Sequence, residues 1–149
     1  MLLIFLALMS QTAWSGPTAA GTADFRIRWL LHQESGGIEQ LEQWNVACSQ
    51  AKCTIGRWFS GRDFGQKDLP AARARGILAE AEKLPTAAES RAPQAASSAH
   101  HEERIWVDQA EKNWTKSRPQ LPETDDISSG LAWAQFELDL RHAWEGLDR

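Results

Sequence analysis

The chain has 149 residues, with 16 basic and 20 acidic side chains and a formal net charge of −4 at pH 7. A mildly acidic chain without a basic stripe lacks the positive surface that neutralises phosphates, so we expect no nucleic-acid partner. The length is typical of one domain with a single core. Eight tryptophans accompany no tyrosine, and tryptophan serves in cores and in interfaces alike.

The first 23 residues carry no charge and begin with an apolar run at 2–9, followed by small and polar residues. This pattern is typical of a secretory signal peptide. A membrane-spanning helix needs about 20 predominantly apolar residues, and polar residues interrupt this run earlier. Because no Lys or Arg precedes the short run, an anchor and an ordinary cytosolic N-terminus remain alternatives. We expect a signal peptide at 1–23 and an exported, periplasmic or extracellular protein without stable membrane insertion after cleavage.

Alternation of apolar and polar residues starts at Phe25 and predicts a half-buried strand. Its apolar face carries Phe25, Ile27, Trp29 and Leu31. Glu34 and the pair Gly36 and Gly37 follow, and paired glycines adopt the positive φ angles of a tight reversal. The segment 38–48 then returns as an antiparallel strand, with partial helical structure as an alternative because of its Glu and Gln content.

Cys48 and Cys53 are the only cysteines and enclose four residues. A four-residue loop between two strands places its flanking positions opposite each other, within the Cα separation that a disulfide requires. In an oxidising compartment we expect a disulfide that closes this hairpin. A third strand at 54–59 completes a β-meander.

Glycines at 61 and 65 end the strand pattern, and Asp68 with Pro70 predicts the start of a helix that ends before Pro85. The helix presents an apolar stripe at Ala74, Ile77, Leu78, Ala81 and Leu84. Residues 86–101 are mostly Ala, Ser and Pro or polar, without an apolar period, and indicate a flexible connection.

The segment 104–117 favours a hairpin, with a helix as the alternative. A terminal helix starts near Ser128 or Ser129 and carries one apolar stripe. The stripe consists of Trp133, Phe136, Leu140, Trp144 and Leu147. Packing on the sheet is the simplest role for this stripe, and docking on a partner chain is the alternative.

No nucleophile with a neighbouring base, no zinc-protease pattern and no phosphate-binding glycine loop occurs in the sequence. His100 and His101 are followed by two glutamates, which are metal-ligand types, but neighbouring side chains point in different directions. We therefore expect no catalytic residue, no cofactor and no metal site. A metal-binding protein or enzyme that uses this histidine pair is an alternative hypothesis.

The order of segments resembles the emfourins, small bacterial inhibitors of thermolysin-like metalloproteases. The residues that carry the resemblance are Glu34, Gly36 and Gly37, then Leu69–Pro70, Leu84–Pro85 and the terminal helix from about Ser129. The resemblance covers most of the mature chain and implies a protease inhibitor. The cysteine pair and the Ala/Ser/Pro connection depart from it, and it carries over no inhibitory residue.

Together these patterns predict an α+β domain at 24–149, with a small antiparallel sheet, built from a meander and a second hairpin, packed by two helices. The function expected is non-catalytic binding of another protein, with a secreted protease as a candidate partner. A periplasmic structural or accessory role is an alternative. Candidate interaction residues are Glu34, Gly36, Gly37, Trp133 and Trp144.

Overall fold

The computed structural model describes residues 24–86, 99–119 and 127–147. The elements are β1 (Phe25–Ser35), β2 (Ile38–Ser49), β3 (Lys52–Phe59), β4 (Arg62–Leu69), α1 (Ala71–Lys83), β5 (Ala99–Gln109), β6 (Asn113–Ser117) and α2 (Ile127–Glu145). The strands form one antiparallel sheet in the order β4-β3-β2-β1-β5-β6. The predicted α+β class is confirmed. Neither of the two described helices is long and apolar enough to cross a membrane.

β1 is the central strand and pairs along its whole length with β2 on one side and β5 on the other. Its alternating residues Phe25, Ile27, Trp29 and Leu31 are buried, whereas Arg26 and Arg28 are exposed. The period of two therefore assigns one face of the sheet to the core and leaves the other face to solvent. We call these the inner face and the outer face. The second strand is confirmed without helical structure.

β4 is an edge strand that the sequence did not reveal. Seven of its eight residues are exposed, so it lacks the apolar alternation by which strands are recognised. The two glycines were expected to end the strand pattern, but one lies in a turn between strands and the other lies within β4. Gly61 (φ +88°) occupies the β3–β4 turn, and Gly65 (φ +82°) lies where the β3–β4 register shifts between Gly56 and Trp58, as is common at a β-bulge.

α1 confirms the first predicted helix, but its start differs from the expectation. Pro70 occupies the N-cap position without a side-chain cap hydrogen bond. Asp68 belongs to β4, where its carboxylate lies 3.9 Å from the ammonium group of Lys52. At the other end, the Lys116 ammonium group donates to the carbonyl oxygens of Ala81, Glu82 and Leu84. Burial lowers the pKa of Lys116, and the nearby Glu82 opposes this change.

The predicted hairpin at 104–117 is confirmed as β5 and β6, which pair from Arg104 opposite Ser117 to Asp108 opposite Asn113. The predicted connection at 86–101 is wrong at its C-terminal end, because residues 99–101 belong to β5. They pair with the polar end of β1, Gln33 to Ser35. Backbone pairing with an existing strand needs no apolar alternation. Residues 87–98 and the expected signal segment lie outside the described residues.

α2 confirms the terminal helix, which begins at Ile127. Trp133, Phe136 and Leu140 are buried against the sheet and α1, and Trp144 packs partly buried at the edge of the core. Leu147 lies beyond the helix end and is 51% exposed, so the predicted stripe is shorter by one residue. Packing on the sheet, the simplest role for this stripe, is what the structure shows.

Candidate functional site

The β1–β2 turn is a two-residue reversal. Gly36 (φ +59°) and Gly37 (φ +78°) form it, and Ser35 lies opposite Ile38 in the ladder. Two consecutive positive φ angles define a type I′ turn, whose twist matches that of the flanking strands. The predicted tight turn is confirmed. No other heavy atom lies within 4 Å of a Cβ built on either glycine, so the turn is open to solvent.

This turn extends beyond β3 on one side of the sheet. β3 pairs with β2 only from Glu42 to Ser49, so Ile38–Leu41 extend past the end of β3. At a rise of about 3.4 Å per residue this extension is about 14 Å. Its base is fixed by the Ser60 amide, which donates to the Leu41 carbonyl oxygen at 2.8 Å. On the other side, β1 stays paired with β5 up to Ser35. We call residues 34–39 the β1–β2 tip.

The β1–β2 tip exposes one large apolar side chain on its inner face and two acids on its outer face. Ile38 is 67% exposed. Glu34 and Glu39 lie opposite each other in the ladder, and both are exposed. The Glu39 carboxylate is 2.8 Å from Nε2 of His32. The tip therefore offers an apolar contact and negative charge from a backbone that needs little ordering on contact with a partner.

Two buried carboxylates support the strands beneath the tip. Glu42 and Glu103 are 3% and 1% exposed and lie on either side of Leu31 in the ladder. A buried carboxylate is stable only when charges and hydrogen bonds compensate for the lost water. Each of these two has an indole N–H and at least one guanidinium group as partners.

Glu42 accepts hydrogen bonds from Nε1 of Trp44 at 3.1 Å and Nε of Arg57 at 3.0 Å. Arg141 of α2 donates to its second oxygen at 2.8 Å and also contacts Glu137 at 2.7 Å. Burial alone would lower the pKa of Arg141, but the two carboxylates outweigh burial and raise it. Glu42 therefore ties β2 to β3 and to α2.

Glu103 accepts from Nε1 of Trp29 at 2.9 Å and from Nη1 of Arg118 at 2.8 Å. His101 Nε2 is 3.7 Å from the same carboxylate. Neither buried glutamate was predicted from the sequence. The alternation of side chains along each strand could have indicated their burial. Glu42 lies two residues from Trp44 and Glu103 two residues from Ile105, so each glutamate shares the inner face with a buried residue.

The predicted interaction residues separate into two groups. Glu34, Gly36 and Gly37 come together at the β1–β2 tip. Trp133 is completely buried, and its indole N–H donates to the Pro85 carbonyl oxygen at 2.9 Å. Its side chain is unavailable to a partner, so the proposed contact role of Trp133 is wrong.

Trp144 is partly buried and meets the Trp44 ring edge-on at a centroid distance of 5.9 Å. The Lys67 ammonium group lies 4.2 Å from the Trp144 ring centroid. These contacts hold Trp144 in the helical layer, where it does not join the β1–β2 tip.

The predicted disulfide between Cys48 and Cys53 is confirmed, with a Cα–Cα separation of 4.1 Å. It lies at the end of β2 opposite to the β1–β2 tip. The carboxylate of Asp24 accepts a hydrogen bond from the Gln50 amide at 2.9 Å inside the closed loop. The disulfide and the tip are therefore separate features at the two ends of one long strand.

Among residues 24–86, 99–119 and 127–147, no three His, Cys, Asp or Glu side chains are grouped so that they could hold a metal ion. The His101 ring lies 3.0 Å from the Gln33 amide nitrogen, and the side chain of His100 is outside the described residues. The expected absence of a metal, a cofactor and a catalytic residue stays a prediction. No protein-family model, curated protein or solved structure matches the chain.

Proposed function

We propose that this chain is an exported, non-catalytic protein-binding domain that contacts its partner through the β1–β2 tip. A secreted protease of the thermolysin type is the candidate partner. The observation that carries the proposal is the exposed turn itself, which three paired strands support and which presents Ile38 on the inner face and Glu34 and Glu39 on the outer face. The resemblance in segment order to the emfourins supports the choice of protease.

The geometry of the tip favours docking because the entropy cost is small. A partner that binds a flexible loop must first order it, whereas a type I′ turn between paired strands already has its bound shape. Protease–inhibitor complexes in general change the interface backbone little on binding. Burying a side chain of the size of Ile38 contributes about 1.5–3 kcal/mol, so further contacts must come from the flanking acids.

The disulfide supports the exported location, since such bonds persist in oxidising compartments and are rare in the cytosol of mesophiles. It supports no particular partner. An accessory domain without inhibitory activity shares the same fold and the same disulfide, so only a functional assay separates the two hypotheses.

The test is a titration of a thermolysin-like protease with the purified disulfide-bonded domain. We expect protease activity to fall to a plateau near equimolar inhibitor, and Ile38→Ser to weaken inhibition at least tenfold. Leu131→Ser is the matched control, because Leu131 on α2 is 65% exposed and resembles Ile38 in size. Full protease activity at a hundredfold excess of domain, or equal effects of the two substitutions, would contradict the proposal.

A further inference from the structure

A shallow groove of about 410 Å³ crosses β2, β3 and β4 on the outer face of the sheet, which neither described helix covers. Side chains that line it include Gln43, Asn45, Trp58, Asp63 and Gln66. The volume lies within the range of about 300–1,000 Å³ typical of small-molecule sites. The groove is separate from the β1–β2 tip and does not depend on the proposed function.

The groove exists because two glycines replace side chains on its floor. A Cβ at Gly56 would lie 3.3 Å from Cγ of Gln66 and 3.5 Å from the Gly65 carbonyl oxygen. Gly65 supplies the positive φ at the β3–β4 bulge. Bulges often occur beside binding sites, where they redirect side chains. Any larger residue at position 56 would fill the space between β2 and β4.

The polar groups of the groove are largely unused within the protein. Nε2 of Gln43 donates to Oδ1 of Asn45 at 3.3 Å. Within the described residues, it is the one hydrogen bond that the side-chain amides of Gln43, Asn45 and Gln66 make with one another. Each amide offers both donors and an acceptor, so the groove presents both kinds of group to a ligand.

Two charged side chains lie at the groove, Asp63 and Arg57. Asp63 accepts a hydrogen bond from the Gly65 amide at 2.7 Å. The Arg57 guanidinium group lies on the inner face, where it pairs with Glu42 at 3.0 Å. A ligand in the groove therefore meets amides, backbone and the negative Asp63 carboxylate, which repels a phosphate or carboxylate group.

Trp58 supplies the apolar part of the groove. It lies opposite Gln43 in the ladder, is partly exposed, and makes no hydrogen bond through its indole N–H within the described residues. A flat aromatic ring beside amides matches a pyranose sugar, which has one C–H face for stacking and hydroxyl groups that donate and accept. We propose that this groove binds a neutral oligosaccharide, with one sugar ring stacked on Trp58 and its hydroxyls bonded to Gln43, Asn45 and Gln66.

The test is affinity electrophoresis of the intact disulfide-bonded domain in gels with soluble neutral polysaccharides: mixed-linkage β-glucan, xyloglucan, arabinoxylan, galactomannan and glycol chitin. Tetrasaccharide fragments of any retarding polymer are then titrated by tryptophan fluorescence. We expect at least one polymer to retard the protein, and Trp58→Ala to weaken tetrasaccharide binding at least tenfold. Gly56→Ala, which keeps the tryptophan, should also weaken it severalfold.

Trp106→Ala is the matched control. Trp106 lies on the same outer face, partly buried, with the guanidinium carbons of Arg28 and Arg104 at 4.8 and 5.7 Å from its ring centroid, and it does not line the groove. Its substitution should leave tetrasaccharide affinity within twofold. Circular dichroism confirms that each variant is folded.

Three results would overturn the proposal: no retardation by any of the five polymers, equal losses for Trp58→Ala and Trp106→Ala, or Trp58-dependent binding of a dT12 oligonucleotide or an acidic peptide without sugar binding. Protease inhibition through the tip can succeed or fail independently of each of these results.

Discussion

Replacing Glu42 by alanine is the sharpest test of the buried carboxylate beneath the β1–β2 tip. The change leaves the guanidinium groups of Arg57 and Arg141 without their shared partner and the Trp44 indole N–H without an acceptor. Removing one partner of a buried ion pair costs about 3–5 kcal/mol. The side chains of Arg57 and Arg141 are 23% and 35% exposed, so water can hydrate them in part. We therefore expect a loss near the lower limit, about 3 kcal/mol.

The assay is urea unfolding at pH 7, followed by tryptophan fluorescence. With a slope of about 1.5–2 kcal/mol per molar urea, a loss of about 3 kcal/mol lowers the unfolding midpoint by about 1.5–2 M. Glu42→Gln keeps an acceptor oxygen but removes the charge, so its loss should be smaller. Glu34→Ala is the matched control, because Glu34 is exposed and surface substitutions usually change stability by less than about 0.5 kcal/mol.

A loss below about 1 kcal/mol for Glu42→Ala would refute this reasoning, as would equality with Glu34→Ala. Either result would mean that the arginines and the indole find other partners at no cost. If the Glu42→Gln variant is as stable as the unsubstituted protein, or more stable, the negative charge contributes nothing to the stability of the network.

Three further substitutions test other parts of the fold by the same unfolding assay. Joint replacement of Cys48 and Cys53 by alanine should cost about 2 kcal/mol, because the closed loop is short; no change would contradict the chain-entropy estimate. Gly37→Ala should cost about 1 kcal/mol through its positive φ alone, since its Cβ would meet no neighbour, and a neutral effect would mean that the turn rearranges. Trp133→Ala should cost about 3–5 kcal/mol; a loss below 1 kcal/mol would contradict its complete burial.

The elements that could be predicted from the sequence are those in which burial imposes a period. β1 alternates at Phe25, Ile27 and Trp29, and α2 steps through Trp133 and Phe136 by three. In both cases the apolar residues must face the core, so the pattern determines the element. The glycine pair and the cysteine spacing added the turn and the disulfide for local geometric reasons.

The parts that could not be predicted are held by partners that no local pattern reveals. β4 is polar because it is an edge strand with seven exposed residues. The N-terminal residues of β5 are extended because their backbone pairs with the C-terminal end of β1. Glu42 is buried because Arg141, 99 positions away in the sequence, reaches its carboxylate. The complete burial of Trp133 likewise depends on how α2 packs against the sheet and α1, and the apolar stripe of α2 does not specify that packing.

Docking through the β1–β2 tip can be observed by hydrogen–deuterium exchange of the domain, free and mixed with an equimolar thermolysin-like protease. We expect the protease to slow exchange in peptides covering the β1–β2 tip, residues 34–39, and to leave exchange in peptides of α2 unchanged. Identical exchange in the free and mixed samples, or protection confined to the helical side, would contradict the tip as the docking element.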